Sequence, residues 1–266
     1  MGRIIGIVFL VVILFAYSSG QQEVNQVQKA KIYQEIYELL TETDLYCSFR
    51  VIKDDKPDTQ IVGAKGDDMR VIFSDGDMVF INKGSQDGVE SGQLFLILEI
   101  ETRNRVQDEN KPVYRFGELA LKKGRARVVT VSDSQSTAVI EKSCHEVRVG
   151  DFAVPFVPLD TMMGKDLGYD IPPFEGDGPK GEVVYLQTER SQIGSGGWAL
   201  VSLGTDAGIQ VGQQLILYRV NTEGAPLMVL GNAVVIDAQS ETSTIKVLSC
   251  RDAVRIGDKI MTRPAY

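Results

Sequence analysis

The chain has one histidine, one tryptophan and three cysteines in 266 residues. Each scarcity closes off some chemistry. A serine–histidine or cysteine–histidine nucleophile would have to use His145. Its neighbour Cys144 is adjacent in sequence, and adjacent side chains on a strand point to opposite faces. His145 therefore reads as a surface turn residue. A zinc site needs three or four nitrogen, sulfur or carboxylate ligands. One histidine and the scattered Cys47, Cys144 and Cys250, none in a CxxC spacing, do not supply them. Positive charge is also in deficit: 28 Lys and Arg against 36 Asp and Glu give a net charge of −8. Nucleic-acid binding needs basic stripes that meet phosphate, so nucleic acid is excluded as a partner. Simple electrostatic docking on anionic lipid is disfavoured for the same reason.

The one extended apolar run opens the chain. Arg3 precedes the segment from Ile4 to Ala16, broken only by Gly6, and Ser18-Ser19-Gly20 follow. Charge, apolar stretch and small residues in that order are those of a secretory signal at 1–20, cleaved before Gln21. The run is shorter than the roughly 20 residues of a membrane-spanning helix; a retained N-terminal anchor is the alternative. No later segment is apolar enough to cross a bilayer. Export makes disulfides available, and three cysteines leave at least one thiol unpaired in a monomer. Two readings stay open: buried small hydrophobes, or a disulfide between Cys47 and Cys144, which flank the first of two repeats.

Val24, Val27, Ile32, Ile36, Leu39 and Leu40 approximate a 3.6-residue stripe, which predicts a helix over 21–44. Tyr46 to Ile52 reads as a strand. Then the chain repeats itself. Residues 79–97, VFINKGSQDGVESGQLFLI, match 199–217, ALVSLGTDAGIQVGQQLIL. Gly84, Gly88 and Gly92 fall on Gly204, Gly208 and Gly212. Further on, 128–151 matches 234–258, so that Cys144 falls on Cys250 and Val149-Gly150-Asp151 on Ile256-Gly257-Asp258. Glycine supplies the positive φ that such turns need. The expected turn residues are therefore these eight glycines with Asp151 and Asp258. Short strands and glycine turns at this density suggest small closed barrels. The expected fold is mainly β: a first β module at 45–154, a Pro/Gly linker at 155–180 and a second β module at 181–266, preceded by the helix.

The GxxxGVxxGxxLxV pattern with a later VxVGD turn resembles the C-terminal β-barrel domain of flagellar assembly protein T. It is also similar to the repeated β domains of exported envelope proteins that often carry a LysM peptidoglycan-binding module. The likeness covers roughly 77–154 and 181–263. It implies a role in the bacterial envelope or periplasm and no catalytic residues. No LysM-like segment is present in this sequence.

Other motifs read as structure. Asp67-Asp68, Asp75-Gly76-Asp77 and the trio Asp166, Asp170 and Asp177 lack EF-hand spacing and are solvated turn aspartates. Gly194-Ser195-Gly196-Gly197 lacks the Lys-Ser/Thr of a phosphate loop and is a turn. Tyr185, Trp198, Tyr218 and Phe95 are core packing. The candidate recognition surfaces are the loop from Glu101 to Tyr114 and Met162, Met163 and Tyr169. The expectation is a periplasmic or otherwise exported, non-enzymatic scaffold with no cofactor or metal, binding envelope proteins. Peptidoglycan or another glycan is the alternative partner, and a carboxylate-dependent hydrolase is the remaining alternative.

Overall fold

The computed structural model describes residues 36–53, 56–64, 70–101, 111–156, 158, 161–169, 178–220 and 227–263. The expected signal segment and most of the expected N-terminal helix lie outside these residues. The described elements are β1 (Tyr37–Leu40), α1 (Glu42–Cys47), β2 (Phe49–Ile52), β3 (Ile61–Ala64), β4 (Ile72–Phe73), β5 (Met78–Ile81), β6 (Leu94–Ile100), β7 (Glu118–Val131), β8 (Ser136–Ser143), β9 (Val147–Arg148) and β10 (Phe152–Pro155). They continue with β11 (Met162–Gly164), β12 (Lys180–Leu186), β13 (Trp198–Val201), β14 (Gln214–Arg219), β15 (Met228–Ala238), β16 (Ser243–Cys250) and β17 (Lys259–Thr262). The protein is mainly β.

The second module is a closed barrel in the order β12-β13-β16-β15-β14-β17. The first is a seven-stranded sheet in the order β10-β6-β7-β8-β5-β3, with β2 added to β7. Its two ends meet at an isolated bridge between Gln60 and Phe152. Inside the barrel, Val183, Val201, Leu215, Leu217, Val235 and Ile245 form a dry core. Inside the first sheet, Ile61, Val79, Phe95, Ile97 and Ile140 do the same.

The run Leu94 to Leu98 is buried at every position because both faces of β6 are covered. Phe95 and Ile97 point into the first core, while Leu96 and Leu98 pack against Tyr46 and Cys47 of α1. β15 shows the same division. Ala233 and Val235 face the barrel, and Val234 and Ile236 meet Leu40 and Leu45. Period-2 alternation with apolar residues on both sides is what a strand between two packed layers requires.

Three expectations need correction. The expected helix does not run through to Thr43: Tyr37–Leu40 is a strand that pairs with β11. That pairing, with Leu39 and Leu40 buried beneath it, overrides the helical stripe. A new helix starts at Glu42, where Thr41 and Asp44 form a capping box. Thr41 Oγ1 accepts from the Asp44 amide at 3.2 Å, and Asp44 Oδ2 accepts from the Thr41 amide at 2.8 Å. This satisfies two otherwise unpaired backbone amides at the helix start. Tyr46 and Cys47 consequently belong to α1 rather than to a strand. Third, the segment 155–180 is not only a linker. Pro155 ends β10, and Met162–Gly164 forms β11.

Candidate functional site

The turn residues expected from the sequence fix the two modules in the same way. Gly88 and Gly208 end 3-10 turns with φ of 82° and 76°. The Gly92 amide donates to Val128 O and the Gly212 amide to Val235 O, each at 2.8 Å. The Gly150 amide donates to Ile61 O and the Gly257 amide to Val183 O, again at 2.8 Å. In both Gly-Asp turns the aspartate accepts from the amide three residues earlier. Asp151 takes the Arg148 amide and Asp258 the Arg255 amide, both at 2.7 Å. Each aspartate also holds a cation: Lys123 at 2.9 Å for Asp151 and Arg219 at 2.7 Å for Asp258. Burial pushes the Asp151 carboxyl up, against the pull of Lys123.

The modules are locked to one another by a junction. Phe49, Val51 and Leu119 of the first pack with Val184, Tyr185 and Leu200 of the second. Asp44 sits in this junction, 4% exposed. It accepts from Trp198 Nε1 at 2.9 Å and pairs with Lys246 at 2.7 Å. Lys122, 3% exposed, reaches across to Asp237 at 2.7 Å. Burial alone would raise the Asp237 carboxyl, but Lys122 and Arg50 hold it at about 2. Burial lowers the Lys122 ammonium. The Lys122 and Arg50 cations keep the Asp237 carboxylate charged despite its burial. Cys47 and Cys144 are joined in a disulfide, with Cα atoms 5.6 Å apart. It ties α1 to the end of β8. Cys250 is free.

On this frame lie two shallow grooves of about 470 Å³ each. One runs between residues 70–74 and 143–146, the other between 190–194 and 250–253. Each lining position of the first recurs in the second, 120 residues on along one wall and 107 along the other. The bridge pairs agree: Phe73 opposes Val147, and Ile193 opposes Val254. So do the strand pairs Ile81–Ser136 and Val201–Ser243. This register corrects the sequence match of the cysteines. The spacing of 107 already holds at Ser136, so Cys144 corresponds to Arg251, and Cys250 corresponds to Ser143. The sequence match deferred the shift to a point after the cysteines because two identical letters drew them together.

The walls match while the chemistry differs. Arg70 of the first groove forms a two-pronged pair with Asp77, at 2.8 and 2.6 Å. A hydrogen bond from the Ser74 amide, together with Arg70, holds the Asp77 carboxyl below its ordinary value. Asp75 accepts from Ser143 Oγ at 2.7 Å and is likewise held low. In the second groove the same turn is Gly194-Ser195-Gly196-Gly197 and carries no carboxylate. Arg190 takes the place of Arg70, and Arg251 takes that of Cys144. Asp252 stands where the first groove has the exposed His145, and its charge is met by Arg219 at 3.0 Å.

Of the expected recognition residues, Met163 is exposed, Met162 packs beside Leu40 and Leu45, and Tyr169 lies under the Arg251 guanidinium at 5.1 Å. Residues 102–110 of the expected loop lie outside the described residues. Phe95, Tyr185 and Tyr218 are buried, and Trp198 is part of the junction. Sequence reasoning passed over Arg70, Arg190 and Arg251. The available signal was that the spacing of 120 extends upstream from Gly84 and Gly204 to the two arginines. Among the described residues no group of three or more His, Cys, Asp or Glu could hold a metal ion, and no helix is long and apolar enough to cross a membrane. No family model matches this chain, and no curated protein matches it.

Proposed function

We propose that this protein is an exported, non-enzymatic scaffold of a bacterial cell envelope that holds protein partners on two related β modules. The observation that carries the reading is the pair of matching grooves, differently furnished, on modules locked by a shared junction. Two presentation surfaces at a fixed mutual geometry are what a scaffold needs, and such surfaces bind through loops and shallow concavities. The signal-like segment before Gln21 and the Cys47–Cys144 disulfide support export, because such bonds persist in oxidising compartments. The glycine-turn pattern supports descent of both modules from one unit of the kind found in flagellar assembly protein T and in LysM-associated envelope proteins. The functional part of that likeness is analogy.

The test places a photo-crosslinking residue at Gln192 in one groove and at His145 in the other, in cells that express the full chain. Discrete crosslinked protein species from either position are expected. Isolated peptidoglycan sacculi are tested in parallel by co-sedimentation. Saturable pelleting that resists moderate salt, with no protein crosslinks, would replace the protein-scaffold reading with a wall-binding one.

A further inference from the structure

We infer that the second groove, centred on Arg190 and Arg251, is a binding site for an acidic peptide segment whose carboxylates take the positions that Asp75 and Asp77 occupy in the turn beside the first groove. The inference rests on the protein-binding reading and names the chemistry of one partner surface. The comparison of the two grooves carries it. They share backbone register and volume, so the first shows what the shared arginine pairs with when the chain itself supplies the partner. Arg70 grips Asp77 with both terminal guanidinium nitrogens, a geometry that matches carboxylate specifically. In the second module both turn carboxylates are gone: Ser195 and Gly197 stand in their places. Arg190 is kept, is exposed, and has no carboxylate partner among the described residues. Replacement of the disulfide position Cys144 by Arg251 adds a second cation, steadied over the Tyr169 ring at 5.1 Å. Asp252 is already neutralised by Arg219.

The outcome is a local cationic groove on a chain of net charge −8. An acidic ligand gains nothing from the remaining surface, so its attraction is confined to this place. Ile193 and Ala253 supply an apolar element, and among the described residues the lining includes no aromatic ring, Tyr169 being covered by the Arg251 guanidinium. A sugar would find no platform for stacking there, which favours peptide over glycan. The Cys250 thiol is also a lining group, 3.6 Å from Ser195 Oγ, so it reports on occupancy.

The experiment measures fluorescence anisotropy of labelled hexaglutamate with the full chain, purified from an exporting host. Hexaglutamine serves as the uncharged control. Saturable binding of hexaglutamate is expected. It should weaken about ten-fold in R190E/R251E and in S195D, which restores a turn carboxylate and leaves both arginines in place. It should be unchanged in R255E, a single charge reversal of the same kind at an exposed arginine outside the groove. Bound hexaglutamate should also slow maleimide modification of Cys250. No binding by the parent chain, or equal weakening in R255E, overturns the inference. In that case crosslinks from Gln192 and His145 still decide the scaffold reading by themselves. Hexaglutamate binding without any protein crosslinks in cells would sink the scaffold reading and leave the groove's chemistry standing.

Discussion

Gly84 and Gly88 sit in one turn and are required for different reasons. Gly84 has extended backbone, but a Cβ there would lie 2.6 Å from Asp133 O and closer still to Ser132 O. Gly88 has open space around it and a φ of +82°. Gly84→Ala must push backbone apart, at a cost of about 3 kcal/mol, while Gly88→Ala carries only the left-handed penalty of about 1 kcal/mol. Urea midpoints of the two variants should therefore fall in that order, and the order should repeat at Gly204 and Gly208. The cysteines make a second contrast. Removing the disulfide with C47S/C144S frees a loop of 97 residues and should cost about 4 kcal/mol. C250S should leave the urea midpoint where it is and remove maleimide reactivity.

At the scale of elements, the strand β7 and the barrel strand β15 are joined by one buried charge pair. Asp237→Asn leaves the Lys122 ammonium, 3% exposed, with an amide in place of its carboxylate. The expected loss is about 3–5 kcal/mol. The double variant K122M/D237L removes both charges and should recover most of it, because two apolar groups in a dry junction need no partner. Equal losses in the single and double variants would show that the pair does not stabilise the junction as argued. The helix α1 depends on its first turn in the same local way. Thr41→Ala removes the cap and should cost about 1 kcal/mol, read from the same urea curves.

For the whole molecule, the shared junction makes two modules one cooperative body. Trp198, the single tryptophan, sits in that junction with its indole bonded to Asp44. Its fluorescence should therefore change at the same urea concentration as the far-UV circular dichroism. Separate transitions would mean that the modules unfold independently. Acid should weaken the same body. Asp237 is held at about 2, below its ordinary 3.8, so its contribution is complete above pH 4 and is lost as the pH falls toward 2. Thermal melts between pH 5 and pH 2 should show this decline, and K122M/D237L should show less of it.

Much of this architecture is legible in the sequence. Glycine spacing marks the turns because only glycine adopts their positive φ, and alternating apolar runs mark the strands because a strand buries every second side chain. Gly88, Gly92, Gly150, Gly208, Gly212 and Gly257 follow from those local rules, whereas Gly84 and Gly204 have extended backbone and are glycine because neighbouring backbone lies where a Cβ would be. Tyr37–Leu40 was misread because its apolar spacing fits a helix as well as a strand, and only pairing with Met162–Gly164 decides between them. The match of Cys144 with Cys250 failed for a similar reason: letters align without regard to hydrogen-bond register, and the true shift is read from the strand pairs. The candidate site was the least legible part. Arg70 and Arg190 are ordinary surface residues until the grooves show that each stands near a turn a few residues on, one bearing carboxylates and one bare. Sequence by itself determined the mainly β class and the glycine turns of both modules, since they obey rules acting over a few residues. Tertiary structure alone decided the junction, the disulfide partner and the pairing of the two walls of each groove, since each depends on residues that meet across long separations in the chain.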